Sequence, residues 1–365
     1  MRAEQENRAL TGLRGCAALF VCVHHLVLHI GAPPSLARSL ALRGYLMVDL
    51  FFVLSGFVMA LAYEGWFAGA FGPATYARFL WRRFARLWPL HAAVVLLMLG
   101  TLALSGHYWV WWRMAVLNLA MAQGWGLSKT LNVPSWSLSA EWVAYALFPA
   151  LAWLTLRGGI ARTAAAVALA VTALVVAAHL GAFRPSGRRG PLDLYDNYSL
   201  LPVARCLGGF TLGLVARRAM RLDALRRGLA RPGWAEAAGA LLLAGLALGL
   251  PDAAAYPLLL VLVAALWAGE DGLSRFLGRP APHRLGAWSY ALYLVHLPLI
   301  QLWEGAGRPG SPALAGLILL AASLAAAAVL HRVLEVPARR ALEPGRAPAP
   351  PAGQRFSSST SRSAW

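Results

Sequence analysis

The sequence predicts an all-α membrane protein, a polytopic bundle of about ten transmembrane helices. Of its 365 residues, 59% are hydrophobic and only 13% are charged, and the mean hydropathy is +0.57. Apolar runs long enough to cross a bilayer recur along the chain. The 33 basic residues, which dominate a net charge of +18, lie mainly between those runs. A nucleic-acid-binding protein carries its basic residues on a soluble surface, so we expect a lipid bilayer, and no nucleic acid, as partner.

The apolar runs predict ten spans, each bounded by polar or turn-forming residues. In chain order they are Gly12–Ile30, Tyr45–Tyr63, Trp88–Ser105, Trp136–Leu156, Thr163–Leu180, Ser199–Ala216, Trp234–Leu250, Ala254–Ala268, Leu285–Trp303 and Pro312–Val333. An even number of spans places both termini on one side of the membrane. The aromatic-rich stretch Tyr108–Trp125 has two interpretations: an interfacial or re-entrant segment, or a further span that inverts the topology after it.

The positions of the basic residues predict which side holds the termini. With a cytoplasmic N-terminus, 23 of the 33 basic residues fall in inside segments and 8 in outside segments, as the positive-inside rule requires. We therefore expect the transmembrane domain, residues 8–340, in the plasma (inner) membrane with both termini cytoplasmic. Residues 343–365 are rich in Pro, Ala, Arg and Ser and predict a disordered cytoplasmic tail.

Arg14 and His25 stand on the first span, eleven residues apart. At about 100° per residue this spacing puts them on one helical face, with an axial separation of about 16 Å. An ionisable group inside a spanning helix costs roughly 3 kcal/mol on insertion scales, so such groups usually face a protein interior or a watery cavity. The pair therefore predicts a functional face with a cation at the membrane edge and an imidazole deep inside.

Depth along the other spans predicts a layer of ionisable groups near His25. At about 1.5 Å per residue, four of them reach a similar depth in the outer half of the membrane. They are Asp49, Glu141, Arg205 and His296. Unpaired charges there would be very costly, so we expect mutual pairing around a polar cavity. We predict five substrate contacts in this layer. They are Asp49, Arg205, His296 and, on the span of Glu141, Trp136 and Ser139.

A second cluster of charge lies at the cytoplasmic edge before the third span. It consists of Arg78, Arg82, Arg83 and Arg86 and leads into His91. Arg83 and Arg86 are three residues apart and so are neighbours on a helix surface, and guanidinium groups make bidentate bonds to phosphate oxygens. An anchor for anionic lipid is the alternative interpretation. Arg14 opens onto the same face, which favours a phosphate-bearing ligand.

The histidines and cysteines do not predict a metal site. His25 and His29 are four residues apart, a spacing that can chelate a metal, but no glutamate follows His25 as in a zincin and no third ligand is evident. The three cysteines all fall within apolar spans, without the spacing of a metal site or a disulfide framework.

Six short motifs occur in order between about Arg8 and Arg340. They are Leu10–Gly15 with His25, Val48–Phe57, Arg82–Pro89, Pro134–Trp142, Arg205 with Phe210 and Gly213, and Ser289–His296. In these motifs the chain resembles the integral-membrane acyltransferase-3 family, bacterial O-acyltransferases that modify polysaccharides, peptidoglycan, lipid-linked sugars and some macrolide antibiotics. Any one motif is weak, but six in order are specific.

The resemblance implies an acyltransferase with no permanently bound cofactor. Acyl-CoA would be the co-substrate, recruited from the cytoplasm, and the acceptor would be a hydroxyl of a glycan, lipid-linked sugar or macrolide. It also implies that Arg14 and His25 are essential and that the paired arginines before the third span contact CoA. On the same resemblance, the acyl group is expected to be short, such as acetyl.

The chemistry of the residues agrees with that expectation. We predict that the CoA phosphates lie near Arg14, Arg83 and Arg86, with His91 close by, while the pantetheine arm runs towards His25. The neutral His25 ring would act as general base on the acceptor hydroxyl. Glu141 would orient this ring or stabilise its charged form. Together Arg14, His25 and Glu141 form the predicted catalytic set.

Two alternatives remain open at this stage. No cysteine lies at the level of His25, which favours direct transfer, but Ser55 or Ser139 could carry an acyl-enzyme intermediate. A transporter or flippase of a glycan or lipid-linked intermediate would also bury charges in the membrane. We find no convincing repeat between the two halves of the sequence, and acyl-CoA-dependent release of CoA separates the two functions.

Overall fold

The computed structural model describes residues 7–67, 72–104, 111–182, 189–194 and 198–343. Within these ranges the chain forms fifteen α-helices joined by loops and short 3-10 or π turns, and no strand. The helices are α1 (Arg8–Ile30), α2 (Leu36–Leu42), α3 (Met47–Tyr63), α4 (Pro73–Leu104), α5 (Trp111–Leu119), α6 (Trp136–Leu156), α7 (Ile160–Ala182), α8 (Leu201–Ala219), α9 (Asp223–Leu229), α10 (Trp234–Leu248), α11 (Asp252–Ala268), α12 (Gly272–Leu277), α13 (Pro280–Gly305), α14 (Pro312–Leu330) and α15 (Val336–Leu342). The all-α class is confirmed. The predicted disordered tail lies, from residue 344 onward, outside the described residues.

In the described part of the chain, six helical segments are long and apolar enough to cross a membrane, as expected of a membrane protein. They are Arg8–Ile30, Leu36–Phe67, Pro73–Leu104, Ile160–Gly181, Pro280–Gly305 and Pro312–Leu342. The helices α6 and α8 are also long, α8 with three arginines, and α10 and α11 are shorter apolar helices. Each of the ten predicted spans thus coincides with a helix, while ten crossings and cytoplasmic termini stay predictions.

The third predicted span is only the second half of a longer helix. It was expected to begin at Trp88, but α4 begins at Pro73 and continues through Pro89 without a break. The first half of α4 carries the arginine cluster, so Arg83 and Arg86 do lie on one continuous helix.

The stretch Tyr108–Trp125 contains only a short helix in its described part. The nine residues of α5 cover about 13 Å, well short of a hydrocarbon core of about 30 Å. The chain then turns at Met121, whose φ is 56°, and forms a single π turn over Gln123–Leu127. The described residues therefore resemble an interfacial or re-entrant segment more than a complete span.

Two glycines bring α1 and α13 into close contact. A Cβ built on Gly15 would lie 2.4 Å from the backbone nitrogen of Gly286, and one on Gly286 would lie 2.0 Å from the carbonyl oxygen of Thr11. Neither position has room for a side chain, so the backbones meet directly, as small residues allow in membrane helices. The close approach brings polar side chains of the two helices within hydrogen-bonding distance.

Contacts at two levels show that α1 and α13 run parallel. Arg14 bonds Ser289 near the start of both helices, and His25 contacts His296 further along both. If each predicted span crosses once, the first and ninth spans run in the same direction. One additional crossing between them would make them antiparallel, so the contacts favour a Tyr108–Trp125 stretch that does not cross.

A second glycine crossing joins α3 and α8. A Cβ on Gly56 would lie 2.0 Å from the carbonyl oxygen of Phe210, and one on Gly213 would lie 2.1 Å from a backbone oxygen of α3. Nearer the start of both helices the same pair of elements carries Asp49 and Arg205, which are hydrogen-bonded to each other. The two glycine crossings therefore hold the helices that supply the polar groups of the candidate site.

Candidate active site

A cavity of about 380 Å³ opens between the first part of α3, the start of α6 and the later turns of α1 and α13. Its size is typical of a small-molecule site. The polar and aromatic side chains on its wall include His24, His25, Tyr45, Trp136, Arg205, Tyr293 and Gln301. Of the predicted site residues, the cavity brings together His25, Trp136 and Arg205.

His25 is held in place by α1 and α13. Its Nδ1 lies 3.0 Å from the carbonyl oxygen of Val21 and 3.1 Å from Nε2 of His296. A carbonyl oxygen only accepts hydrogen bonds, so Nδ1 carries the hydrogen in the neutral ring and Nε2 keeps its lone pair. His24 is turned elsewhere, with its Nδ1 2.9 Å from the carbonyl oxygen of Ala41. His25 thus has the tautomer that a general base needs at Nε2.

His296 lies behind His25 and not on the cavity wall. Its side chain is fully buried, and its Nδ1 lies 3.0 Å from the carbonyl oxygen of Leu292, one turn earlier on α13. The centroids of the two imidazole rings are 4.9 Å apart. Within the site, His296 is thus hydrogen-bonded to His25, and its ring packs 6.1 Å from that of Tyr293.

Arg205 and Asp49 form a buried ion pair beside the cavity. The Nε of Arg205 donates to Asp49 Oδ1 at 2.9 Å, and its Nη2 donates to Oδ2 at 2.6 Å. The exposed fractions of the two residues are 1% and 0%. Tyr256 donates a further hydrogen bond to Asp49 at 2.6 Å, and the Arg205 guanidinium lies 5.3 Å from the ring of Trp136. Asp49 therefore positions Arg205, and Arg205 is the member of the pair that reaches the cavity.

A short connection before α8 forms another part of the wall. Arg189, Asp193 and Leu194 line the cavity, and the Arg189 guanidinium pairs with Asp193 at 3.4 Å. Asp252 of α11 fixes this connection by accepting a hydrogen bond from the Leu192 backbone at 2.8 Å. The charges at this end of the cavity are thus contributed by a segment that is hydrogen-bonded to a distant helix.

Further hydrogen bonds to Asp252 strengthen that anchor. Its Oδ1 accepts from Tyr45 at 2.8 Å and from Arg43 at 2.9 Å. Tyr45 itself lines the cavity. One carboxylate therefore joins the segment before α3, the connection before α8 and the start of α11.

Glu141 is not placed against His25. Its carboxylate accepts a hydrogen bond from Ser55 at 2.5 Å and another from the hydroxyl of Tyr145, and Ser55 and Tyr145 lie 3.2 Å apart. In the described structure, no contact joins Glu141 to either histidine of the pair. The five ionisable groups that were predicted at one depth therefore form three separate groups. His25 contacts His296, and Asp49 binds Arg205. Glu141 is hydrogen-bonded to the hydroxyls of Ser55 and Tyr145, between α3 and α6.

Arg14 joins α1 to α13. Its Nε donates to Ser289 Oγ at 3.0 Å, and its Nη2 donates to the carbonyl oxygen of Gly286 at 2.9 Å. The Arg14 side chain is half-buried and does not line the cavity around His25. The helical face shared by Arg14 and His25 is real, and both ends of it meet α13.

The arginines of α4 pack against aromatic rings. Arg83 donates to the hydroxyl of Tyr63 at 2.5 Å, and its guanidinium lies 4.9 Å from that ring. Arg82 lies 5.0 Å from the ring of Trp66. The Nε atoms of Arg82 and Arg83 are buried with no hydrogen-bond partner among the described residues. Arg86 is half-buried, one turn further along.

Two other predicted contacts are buried and bonded to backbone. His91 is fully buried, with Nε2 2.7 Å from the carbonyl oxygen of Asn118 on α5. Ser139 is also fully buried and accepts a hydrogen bond from the Gly124 backbone at 3.0 Å. Both side chains thus tie the Tyr108–Trp125 stretch to the bundle, and neither lines the cavity.

His29, the other histidine of the predicted chelating pair, lies on the cavity wall beside a carboxylate. Its Nδ1 is 3.2 Å from Glu304 at the end of α13. Among the residues that the structure describes, no group of three or more His, Cys, Asp or Glu side chains could hold a metal ion.

Several groups in and around the site were not singled out in the sequence. They are Tyr145, Tyr256, Asp252, Arg189 and Asp193. Tyr145 follows Glu141 by four residues, a spacing that brings side chains together on a helix, and this signal was available. The others are brought to the site by contacts between distant segments, which no local spacing reveals.

Comparison of the sequence with known proteins identifies the family of this chain. Residues 7–332 match the acyltransferase domain of the acyltransferase-3 family. The chain is 32% identical over 371 aligned positions to the acyltransferase MdmB of Streptomyces mycarofaciens, and the match covers 92% of each protein. It is also 43% identical over 90 residues to protein 2 in the picA locus of Rhizobium radiobacter, covering 24% of this chain and 42% of that protein. No solved structure gives a significant match. The protein belongs to the acyltransferase-3 family.

Proposed function

We propose that this protein is an acyl-CoA-dependent O-acyltransferase that uses His25 as its general base. One observation carries the proposal: the Nδ1 contacts of His25 leave Nε2 with a lone pair, and the ring lies on the wall of a cavity of about 380 Å³. Family membership supports acyl transfer. A hydroxyl group held near Nε2 is the acceptor that such a base can activate.

The chemical step is a direct transfer. His25 Nε2 takes the proton from the acceptor hydroxyl while its oxygen attacks the thioester carbonyl carbon. The new C–O bond forms, the C–S bond breaks, and the proton passes from His25 to the departing CoA thiolate. Arg205, fixed by Asp49, supplies positive charge on the cavity wall that would stabilise the developing oxyanion.

The donor arm would follow α3 between the cavity and Arg83. Two polar side chains of α3 would mark that route: Ser55, about 9 Å beyond the level of Asp49, and Tyr63, about 12 Å further along the helix. Ser55 and Arg83 are half-buried rather than sealed. The buried Nε of Arg83 has no partner among the described residues, and a phosphate of CoA would supply one.

The acceptor is a hydroxyl compound that enters from the side of His29 and Arg189. Trp136, Tyr45 and Tyr293 give the cavity flat aromatic surfaces, which suit a sugar or macrolide ring. In the orientation that the arginines indicate, both termini are cytoplasmic in the inner membrane and this cavity lies in the outer half. A short acyl group such as acetyl fits our expectation from the family.

The test is release of CoA thiol by the purified protein in detergent or lipid nanodiscs. Acetyl-CoA is supplied together with a panel of glycan, lipid-linked sugar and macrolide acceptors. We expect acceptor-dependent thiol release and an acylated product, and we expect His25→Ala to lower the rate by about 10²- to 10⁴-fold, the usual contribution of a general base.

The matched control is His179→Ala, because His179 is exposed on α7. It should retain the wild-type rate, and both variants should elute as folded monodisperse protein. Transport of the candidate acceptor without thiol release would favour the transporter instead. Full activity of folded His25→Ala would reject His25 as the base.

A further inference from the structure

We propose that His296 is a positioning residue for His25, an imidazole that fills the place that a carboxylate holds behind many catalytic histidines. The inference rests on the proposed function, in which His25 removes a proton from the acceptor. It goes beyond that function by assigning a second histidine that does not line the cavity. It also replaces the two predictions that Glu141 orients His25 and that His296 contacts substrate.

The hydrogen bonds fix which atom of each ring carries a proton. His296 Nδ1 lies 3.0 Å from the carbonyl oxygen of Leu292, which only accepts, so Nδ1–H is the donor. In the neutral ring Nε2 is then an acceptor. That atom lies 3.1 Å from His25 Nδ1, so His25 donates to His296. The bonds therefore run in one direction, from His25 through His296 to the backbone of α13.

The direction of these hydrogen bonds allows His296 to stabilise His25 after His25 takes the acceptor proton at Nε2. The ring becomes an imidazolium, and its Nδ1–H turns into a charge-assisted donor, which makes a stronger hydrogen bond than a neutral one. Val21 O also accepts from Nδ1, at 3.0 Å. His296 Nε2 adds a second acceptor whose lone pair is more basic than that of a carbonyl, and it comes from a different helix.

The nearby carboxylates are already engaged elsewhere. Asp49 is bound by Arg205, Asp193 by Arg189 and Glu304 by His29. Among the described residues, none of these acids lies within ion-pairing distance of His25. A neutral imidazole stabilises the charged intermediate without a permanent negative charge in the membrane interior, where an unpaired charge is costly.

His296 is also held rigidly enough for this role. Its side chain is fully buried, it is bonded to its own helix at Leu292, and α13 is fixed against α1 by the Gly15–Gly286 crossing. The ring can therefore orient His25 without reorganisation during the reaction. His296 lies behind the base and off the cavity wall. We therefore expect its substitution to lower kcat and to leave substrate binding unchanged.

The experiment compares His296→Leu with His296→Gln by steady-state thiol release. Leucine fills similar space but accepts no hydrogen bond, whereas the glutamine Oε1 can accept from His25 Nδ1. We expect His296→Leu to lower kcat by about 10- to 100-fold, the usual effect of removing one hydrogen bond to a charged group. The KM values for acetyl-CoA and acceptor should stay within about twofold, and the kcat of His296→Gln should exceed that of His296→Leu by at least about fivefold.

The control on the same helix is His283→Leu, because His283 stands thirteen residues earlier on α13, about 20 Å away. It should keep wild-type kcat, and thermal unfolding should show that both leucine variants are folded. A raised acceptor KM with unchanged kcat in His296→Leu would overturn the proposal in favour of direct substrate contact. Equal losses in the leucine and glutamine variants would also overturn it.

The outcomes separate this inference from the proposed function. Wild-type protein that releases no CoA with any acceptor, or folded His25→Ala with full activity, counts against the function itself. Inactive His25→Ala beside fully active His296→Leu leaves the function standing and rejects only the role of His296.

Discussion

Arg205 and Asp49 form a two-point hydrogen-bonded ion pair that is almost completely removed from solvent. The two contacts measure 2.9 and 2.6 Å, and the residues are 1% and 0% exposed. A buried pair of this kind has a small net effect on stability as a pair, but removal of one partner leaves an uncompensated charge in a low-dielectric interior. The ion pair therefore fixes where the cavity presents positive charge and makes the bundle sensitive to single substitutions there.

The first prediction concerns this pair. Asp49→Ala should destabilise the protein by about 3–5 kcal/mol, because the Arg205 charge is left buried and unpaired. Thermal unfolding in detergent measures the loss. The double variant Asp49→Leu with Arg205→Met should be more stable than Asp49→Ala, since neither charge remains.

The control for this prediction is an exposed ion pair. Asp223 and Arg226 lie 2.7 Å apart on α9, with side chains 64% and 49% exposed. Asp223→Ala should change stability by no more than about 1 kcal/mol. A double variant less stable than Asp49→Ala would show that the pair contributes more than mutual neutralisation.

The second prediction concerns the crossing of α1 and α13. Gly286→Ala should separate the two helices, because its Cβ would lie 2.0 Å from the backbone oxygen of Thr11. Because the His25–His296 contact depends on this approach, we expect a loss of kcat together with a lower unfolding temperature.

Gly100→Ala is the matched control, since nothing lies within 4 Å of a Cβ at that helical position. Alanine has the higher helix propensity, so this variant should be neutral or slightly more stable. Wild-type kcat and stability in Gly286→Ala would contradict the close packing described for α1 and α13.

The third prediction concerns the hydroxyl cluster around Glu141. Because Ser55 and Tyr145 both donate to this carboxylate, the effects of Glu141→Gln and Tyr145→Phe on kcat should not add. A double-mutant cycle should give a coupling of about 0.5–3 kcal/mol, the range for residues in one network. Glu141→Gln and His296→Leu should be closer to additive, because no direct contact joins those side chains; a strong coupling between them would restore Glu141 as a partner of His25.

The fourth prediction concerns the arginines of α4. Arg83→Ala should raise the KM for acetyl-CoA by about 10- to 100-fold, because a hydrogen bond to a charged group is lost, while the KM for the acceptor stays unchanged. The control is Arg227→Ala, an exposed arginine on α9. If Arg83 instead anchors anionic lipid, the KM for acetyl-CoA will not change and activity will depend on the anionic lipid content of the nanodisc.

Much of the fold could be predicted from the sequence because the bilayer imposes local rules. Each predicted span coincides with a helix, since a segment without water must satisfy its backbone hydrogen bonds internally. The boundary of α4 was missed because its first half carries arginines and looks like a loop by hydropathy. The shared face of Arg14 and His25 also followed from helical periodicity alone.

The sequence by itself determined the helical class and the family, and it supplied the candidate site residues. Only the tertiary structure decided their partners. Five ionisable groups at one depth allow many pairings, and depth says nothing about which helices are neighbours. The parallel packing of α1 on α13, through Gly15 and Gly286, brings His296 to His25, whereas the packing of α3 on α6 turns Glu141 towards Ser55. Pairing depends on how helices cross, and that is set by side-chain packing between segments far apart in the chain.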